Sequence, residues 1–217
     1  MKWLVRNWAA VGGVVALVVV GILLCGWNSF EVLVRLQLLS FVAMLVHQFE
    51  EYTWPGGEPA ITNILLHKSD VPDRYPLNAL TACLGNMALT YIIYLLPVFL
   101  PHVIWLGLIP MYMGFAQFIV HGIVTNIKLH TWYNPGLGAV VLLHYPVGIY
   151  YCWYVANQGL ATTADWWFGV LGLVVGMACF IAIPIYKVFP RRDSRWPFTG
   201  KEMEKFHVQE KLARLSK

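Results

Sequence analysis

The chain has 217 residues, of which 59% are hydrophobic and only 12% are charged. Soluble domains average about 25% charged residues, so this composition excludes an ordinary soluble protein and predicts an integral membrane protein. The formal net charge of +4 is small, and no basic patch is interleaved with exposed aromatic residues. We therefore expect no nucleic-acid partner.

Six long apolar segments predict an all-α, polytopic fold with six membrane-spanning helices, because a spanning helix needs about 20 residues. The first segment follows Lys2 and Arg6, as a signal peptide does, but it is long and lacks a small-residue cleavage pattern, so we expect a retained helix. We expect residues 1–188 to form the transmembrane domain and residues 189–217 a basic tail. The segments run roughly over 8–27, 30–52, 77–100, 103–127, 135–157 and 163–187.

The basic residues predict the orientation of these helices. The connections at 26–30, 101–104 and 158–164 contain no Lys or Arg, whereas the other connections and the tail hold almost all of them. Lys and Arg are enriched on the cytoplasmic side of membrane proteins. We therefore expect both termini in the cytoplasm and the protein in a bacterial inner membrane.

The tail and the sixth segment suggest contacts with lipid and with a second copy. Arg191, Arg192 and Arg195 with Trp196 are typical of an interfacial anchor. The residues after them predict a short amphipathic helix that lies on the inner leaflet and is attracted by anionic lipid. Gly172 and Gly176 have the spacing that supports close helix packing, so they predict a possible homodimer.

The stretch His47-Gln48-Phe49-Glu50-Glu51 ends the second segment. Ionisable side chains are costly in or near hydrocarbon, so this cluster predicts a functional site. On a helix, both glutamates can share a face with His47. Helical rise places further polar residues of the third, fourth and fifth segments in the same inner half of the membrane. We expect one hydrated, cytoplasm-facing cavity, with supporting polar groups from Asn78, Asn86, Gln117 and His144.

Two histidines and one carboxylate in this cavity predict a metal site. His47 and His121 with Glu50 or Glu51 would suit zinc with a free fourth position, or non-haem iron; Glu51 is our choice of ligand. The other carboxylate would orient a ligand or act as general base. A hydrogen-bonded network without metal is the alternative. No HExxH sequence or nucleophile elbow is present, so the familiar zinc-protease and serine-hydrolase sites are excluded.

Three short motifs occur in order: HQFEE at 47–51, His121, and Tyr133-Asn134-Pro135-Gly136. Together they resemble the HXXEE-motif family of integral membrane proteins, over roughly half of the chain. The family's function is unknown and suspected to be enzymatic, so the resemblance supports the site and implies no substrate. Locally, Asn134 is a good helix N-cap and Pro135 a good first helical residue. Tyr133 is then expected at the cavity mouth, as a proton donor or hydrogen-bond anchor.

These observations predict a membrane enzyme acting on a lipidic or other apolar small molecule, with Glu50, Glu51 and Tyr133 as catalytic residues. A water activated by the metal or by a glutamate would support hydrolysis, and the same groups without metal could move a proton in an isomerisation. Two alternatives stay open. The cluster could relay protons in a proton-coupled carrier, or it could be a satisfied polar network in a structural or regulatory subunit.

Overall fold

The structure is a computed structural model that describes residues 2–215. Over that range it is helical and contains no β-strand. Six of its helices are long and apolar enough to cross a membrane, which confirms the predicted all-α membrane class. We label them α1 (Lys2–Ser29), α2 (Val32–Tyr52), α3 (Ala79–Phe99), α4 (Ile104–Leu129), α5 (Leu137–Asn157) and α6 (Thr163–Val188).

The observed helices begin and end close to the predicted segments, with one exception. α1 begins at Lys2 instead of residue 8, so the helix includes both basic residues, Lys2 and Arg6. Since the number of spans is even, both termini lie at one end of the bundle, which we call the terminal end. Arg6 and Glu202 form a salt bridge there, with 2.9 Å between Nη1 and Oε2.

α2 occupies the centre of the bundle. It contacts α1, α3, α4 and α5, whereas α6 packs against α4 and α3. Phe41, Met44 and Leu45 of α2 are almost fully buried, in a cluster that also contains Tyr94 of α3 and Met113 of α4. The polar end of α2 is therefore enclosed by other helices and kept away from lipid.

Four of the helices contain π-helical segments, in which each turn takes an extra residue. These segments are Leu89–Tyr94 in α3, Ile119–Thr125 in α4, Val140–His144 in α5, and Ala178–Ala182 and Pro184–Val188 in α6. Such segments are rare and are frequent at functional sites. Each one shifts the face on which the following side chains lie, so the helical spacing of 3.6 residues no longer predicts which residues are neighbours.

The long 53–78 connection and the tail pack together at the terminal end. The connection contains a helical turn, Glu58–Ala60, and a π-helical segment, Ile61–Leu66. The tail contains three short helices, Gly200–Glu204, Lys205–His207 and Val208–Leu215.

The final tail helix packs against the protein. Its amphipathic character is confirmed, and Val208 on its apolar face is fully buried against Ile61, Leu65 and Leu129. Lys205 Nζ donates hydrogen bonds to the carbonyl oxygens of Tyr52 and Thr53, at 3.0 and 2.8 Å. The tail therefore covers the end of α2, and its location at the leaflet stays a prediction.

The two glycines of α6 also have a different role from the predicted one. A side chain at Gly172 would meet Ile109 of α4, and one at Gly176 would lie 3.4 Å from Ile93 of α3. Both glycines allow close packing inside one chain, so they give no support to a homodimer, which stays a prediction.

Candidate metal centre

Three predicted ligands meet at the terminal end of the bundle interior. The Nε2 atoms of His47 and His121 each lie 3.3 Å from Oε1 of Glu51. Their rings are nearly perpendicular, with centroids 4.9 Å apart. The exposed fractions of the three residues are only 1%, 2% and 7%. The three residues therefore form one compact, buried cluster in which the potential ligand atoms all lie within 4.8 Å of one another.

Two helices position these side chains. His47 and Glu51 are one turn apart on α2 and project to the same side, as the helical spacing predicts. His121 lies in the π-helical segment of α4. The cluster therefore depends on the packing of α4 beside α2, and the extra residue in the π-helical turn sets the direction of His121.

The hydrogen bonds of the opposite ring nitrogens determine the tautomers of both histidines. His47 Nδ1 lies 3.0 Å from the carbonyl oxygen of Gly136. His121 Nδ1 lies 2.7 Å from Oδ1 of Asn134. Both partners accept hydrogen bonds only, so Nδ1 carries the proton in each ring and Nε2 keeps a lone pair in the neutral imidazole. This is the arrangement of metal-ligating histidines, whose second nitrogen donates to a carbonyl or carboxylate oxygen.

Asn134 is itself held in one orientation. Its Nδ2 atom donates to the carbonyl oxygen of His121 at 2.6 Å and to Oδ1 of Asn126 at 2.7 Å. The amide oxygen can therefore only face the His121 ring. This use of the side chain explains why the N-cap prediction for Asn134 was wrong: α5 begins at Leu137 after Gly136, and Asn134 supports a histidine instead.

The cluster fits a divalent cation. His47 Nε2 is fully buried, and its lone pair faces the Glu51 carboxylate, which cannot donate a hydrogen bond, so Nε2 is unpaired. An unpaired polar atom at this depth is costly. A tetrahedral zinc site with ligand bonds of about 2.0–2.1 Å places its ligand atoms about 3.3–3.4 Å apart, and the two N···O distances here are 3.3 Å. Three protein ligands with a free fourth position are characteristic of catalytic zinc sites.

Position 136, the last residue of the YNPG sequence, requires a glycine because it lies directly against both histidine rings. Gly136 has φ +102°, which side-chain-bearing residues rarely adopt, and a Cβ atom there would lie 2.8 Å from Cε1 of both His47 and His121. Its carbonyl is also the partner of His47. The backbone at Gly136 is therefore part of the wall of the cluster.

Glu50 does not join Glu51 at the cluster. Its carboxylate accepts hydrogen bonds from the backbone N–H groups of Gly138 and Ala139, at 3.0 and 2.8 Å, and from the Tyr133 hydroxyl at 2.6 Å. It therefore anchors the N-terminus of α5, where a negative charge is favourable. Burial raises the pKa of Tyr133 well above its usual range, and the hydrogen bond to Glu50 raises it further. Tyr133 consequently stays a hydrogen-bond donor, as the anchor role predicts.

His144 extends the polar interior beyond His47. Its ring centroid lies 5.7 Å from that of His47, and the Tyr94 ring lies 5.9 Å from that of His144. Nε2 of His144 and the Tyr94 hydroxyl are both buried and have no hydrogen-bond partner. Two unpaired polar atoms therefore lie in the protein interior next to the cluster.

The other three supporting residues do not meet at the cluster. Asn78 caps α3 by accepting from the backbone of Leu80 and Thr81. Asn86 accepts from Gln48 at 3.3 Å and donates to a carbonyl of its own helix. The Gln117 side chain makes no hydrogen bond within the described part of the chain. A π-helical segment that begins two residues later separates it from His121.

Sequence reasoning missed one carboxylate near the cluster. Glu58 lies in the 53–78 connection and accepts a hydrogen bond from the Thr62 hydroxyl. Burial and then the charge of Glu51 raise the pKa of Glu58 to about 8, against the opposing effect of His121. Glu58 therefore lies close enough to both ligands to feel their charges. No spacing in the sequence relates it to the motifs, because it comes from a loop.

A family profile matches residues 38–151, just over half of the chain, and is described as a protein of unknown function with an HXXEE motif. The match contains the three ligands, Glu50, Asn134 and Gly136. No curated protein matches the chain, and no solved structure does. The match to the profile confirms the resemblance seen in the sequence, and the chain belongs to the HXXEE-motif family of proteins of unknown function.

Proposed function

We propose that this protein is a metal-dependent membrane hydrolase that acts on a lipidic or other apolar molecule. One observation carries the proposal: two histidines whose tautomers leave Nε2 unprotonated face a single carboxylate oxygen at 3.3 Å, all of them buried between α2 and α4. Zinc and ferrous iron are the ions that two histidines and one carboxylate suit. Such an ion, when bound, supplies Lewis-acid activation of water at the position that the protein ligands leave free.

The groups around the ligands have separate roles in the proposed reaction. Asn134 and the Gly136 carbonyl hold the two imidazoles in the ligating tautomer. Glu58 is our candidate for the group that takes the proton from the attacking water, because it is a further carboxylate close to the ligands. A bound cation would lower its pKa from the value of about 8 that burial and Glu51 give it, so that it could accept a proton. His144 and Tyr94 offer unpaired polar atoms to a substrate oxygen.

The depth of the site supports an apolar substrate. The ligands lie within membrane-spanning helices and are almost completely shielded from water. A molecule that partitions into the membrane can approach between helices, whereas a strongly hydrated one would lose its water shell at a large cost.

Metal content of the purified protein tests the proposal. We expect one zinc or iron ion per chain in the wild type, and almost none in His47→Ala or His121→Ala. His102→Ala is the matched control, since His102 is exposed at the opposite end of the bundle, and it should retain the metal. Wild-type protein that contains no stoichiometric metal, even after equilibration with Zn²⁺ or Fe²⁺, would overturn the metal site.

Turnover is tested separately with membrane lipid extracts. Metal-loaded wild type should form a hydrolysis product detectable by mass spectrometry, and Glu58→Gln should bind metal normally but form the product at least 100-fold more slowly, as expected for loss of a general base. Equal rates for the two proteins would remove Glu58 from the mechanism. Loss of metal from Glu58→Gln would show that Glu58 supports the ligands instead.

A further inference from the structure

A second candidate site lies on the outside of the bundle, at the terminal end. A groove of about 430 Å³ runs between the start of α3 and the end of α6 and is closed by the 189–196 segment. Its walls are apolar where they face the membrane, at Leu80, Leu84, Pro184 and Phe189. None of its lining residues belongs to the metal centre, so its role is independent of the proposed function.

Two cations on the rim of this groove have no protein partner. Arg191 and Arg195 are exposed, and their guanidinium groups make no hydrogen bond or ion pair within residues 2–215. Their neighbour Arg192 differs, because it pairs with Asp70 and lies 4.6 Å over the Tyr75 ring. Asp193 also lies on the rim, so the two free guanidinium groups leave the groove with a net positive charge.

The segment that carries these arginines is held in place by the protein. The Ala79 N–H donates to the Trp196 carbonyl oxygen at 3.0 Å, and the Phe198 N–H donates to the Asp73 carbonyl oxygen at 2.6 Å. Ser194 and Phe198 are buried, with exposed fractions of 8% and 5%. Binding at the groove would therefore require little ordering of the backbone, which is a major cost of association.

The groove is also open on its membrane side. The exposed fractions of Leu84 and Phe189 are 58% and 55%. Leu84 lies in the second turn of α3, and Phe189 directly follows the end of α6. Apolar surface at this level faces the acyl chains of the leaflet, while the arginines lie at the level of the headgroups. The arrangement therefore pairs a cationic rim with an apolar wall that continues into the membrane.

We propose that this groove binds an anionic phospholipid of the leaflet at the terminal end. Arg191 and Arg195 would hold the phosphate, because guanidinium groups form paired, charge-assisted hydrogen bonds to phosphate oxygens. The acyl chains would lie against Leu84 and Phe189. Basic pockets between membrane helices are known to bind acidic headgroups in this manner.

Lipid binding to the purified full-length protein tests this site. Phosphatidylglycerol and phosphatidylcholine are titrated in parallel, and bound lipid is counted by native mass spectrometry. We expect the wild type to prefer phosphatidylglycerol, and the double variant Arg191→Gln/Arg195→Gln to bind it on the order of 30-fold more weakly, since each basic residue near the surface contributes about 1 kcal/mol. Phosphatidylcholine binding should not change.

The matched control removes two other exposed cations of the terminal end, in Lys128→Gln/Lys201→Gln. This variant should keep the preference for phosphatidylglycerol; an equal loss in both double variants would reduce the effect to general charge and overturn the site. Both variants must melt at the wild-type temperature and retain any bound metal.

A third arm separates lipid from free phosphate. Inorganic phosphate at millimolar concentration should not displace phosphatidylglycerol, because it lacks the acyl chains that contact the apolar wall. Full displacement would identify a phosphate site and overturn the lipid assignment. Unchanged phosphatidylglycerol affinity in Arg191→Gln/Arg195→Gln would overturn the proposal altogether.

Discussion

α2 and α6 are both long enough to cross a membrane, yet they differ in almost every other respect. Within their most apolar windows, 67% of α2 is buried inside the protein against 17% of α6, and their mean hydropathies are 1.6 and 2.5. α2 carries the buried polar residues Gln37, Ser40, His47, Gln48 and Glu51, and α6 carries none. The less hydrophobic helix is the inner one, because lipid tolerates apolar side chains and the protein interior is the place where polar groups can find partners.

The residues of the candidate site therefore lie on α2 and on the elements that contact it, whereas α6 mainly provides a lipid-facing surface. Five substitutions test this difference, and they are taken in order of decreasing effect.

The largest effect is expected for Gly136→Ala, on the loop that closes over the end of α2. The new methyl group would collide with both histidine rings and force a strained backbone, which should lower the free energy of unfolding by about 1–3 kcal/mol. Metal affinity should fall more than tenfold, because both ligating histidines would move. Denaturant titration and metal content measure the two effects. Gly159→Ala is the control, since Gly159 also has a positive φ but a side chain there meets nothing within 4 Å. Equal losses in the two variants would mean that backbone strain alone explains the result.

The next effect is expected for Asn134→Leu, which removes the acceptor of His121 Nδ1–H. Loss of the hydrogen-bond acceptor of a metal-ligating histidine weakens metal binding by about 10- to 100-fold. Competition with a chelator measures the change. Asn86→Leu is the matched control, because Asn86 bonds to Gln48 and not to a ligand. Unchanged metal affinity in Asn134→Leu would show that Asn134 does not orient the histidine.

Tyr133→Phe should lower stability by about 1–2 kcal/mol, since it removes a 2.6 Å hydrogen bond to the Glu50 carboxylate. Metal content should stay the same, because Glu50 and Tyr133 anchor α5 and do not belong to the candidate metal cluster. Tyr150→Phe, on an exposed tyrosine, should have no effect on stability. If Tyr133→Phe abolishes turnover while stability and metal content hold, Tyr133 has the catalytic role that the sequence suggested.

The smallest effect is expected on α6. Val174 is 60% exposed to the surroundings of the bundle, whereas Val42 of α2 is 7% exposed in the central cluster. Val174→Ala should change the free energy of unfolding by less than about 0.5 kcal/mol, and Val42→Ala should lower it by about 1 kcal/mol through the lost packing. Denaturant titration measures both free energies of unfolding. Equal losses in the two variants would contradict the assignment of α2 as the inner helix and α6 as the outer one.

The spans were predictable because a run of about 20 apolar residues has few alternatives to a membrane helix. His47 and Glu51 were predictable as neighbours because both belong to one helix. Asn134, Gly136 and Glu58 were not recognised as parts of the site, since all three come from loops whose paths no periodicity describes. Gln117 was misplaced because a π-helical turn separates it from His121, and Asn78 because helix capping uses its side chain.

Local composition and spacing along single helices were enough to establish the membrane class, the number of helices and a histidine with a glutamate one turn away on α2. The folded structure was needed to show which glutamate faces the histidines, which tautomer each histidine adopts and what the YNPG loop does. These properties depend on contacts between segments far apart in the chain, where a shift of one residue in a single helical turn redirects a side chain.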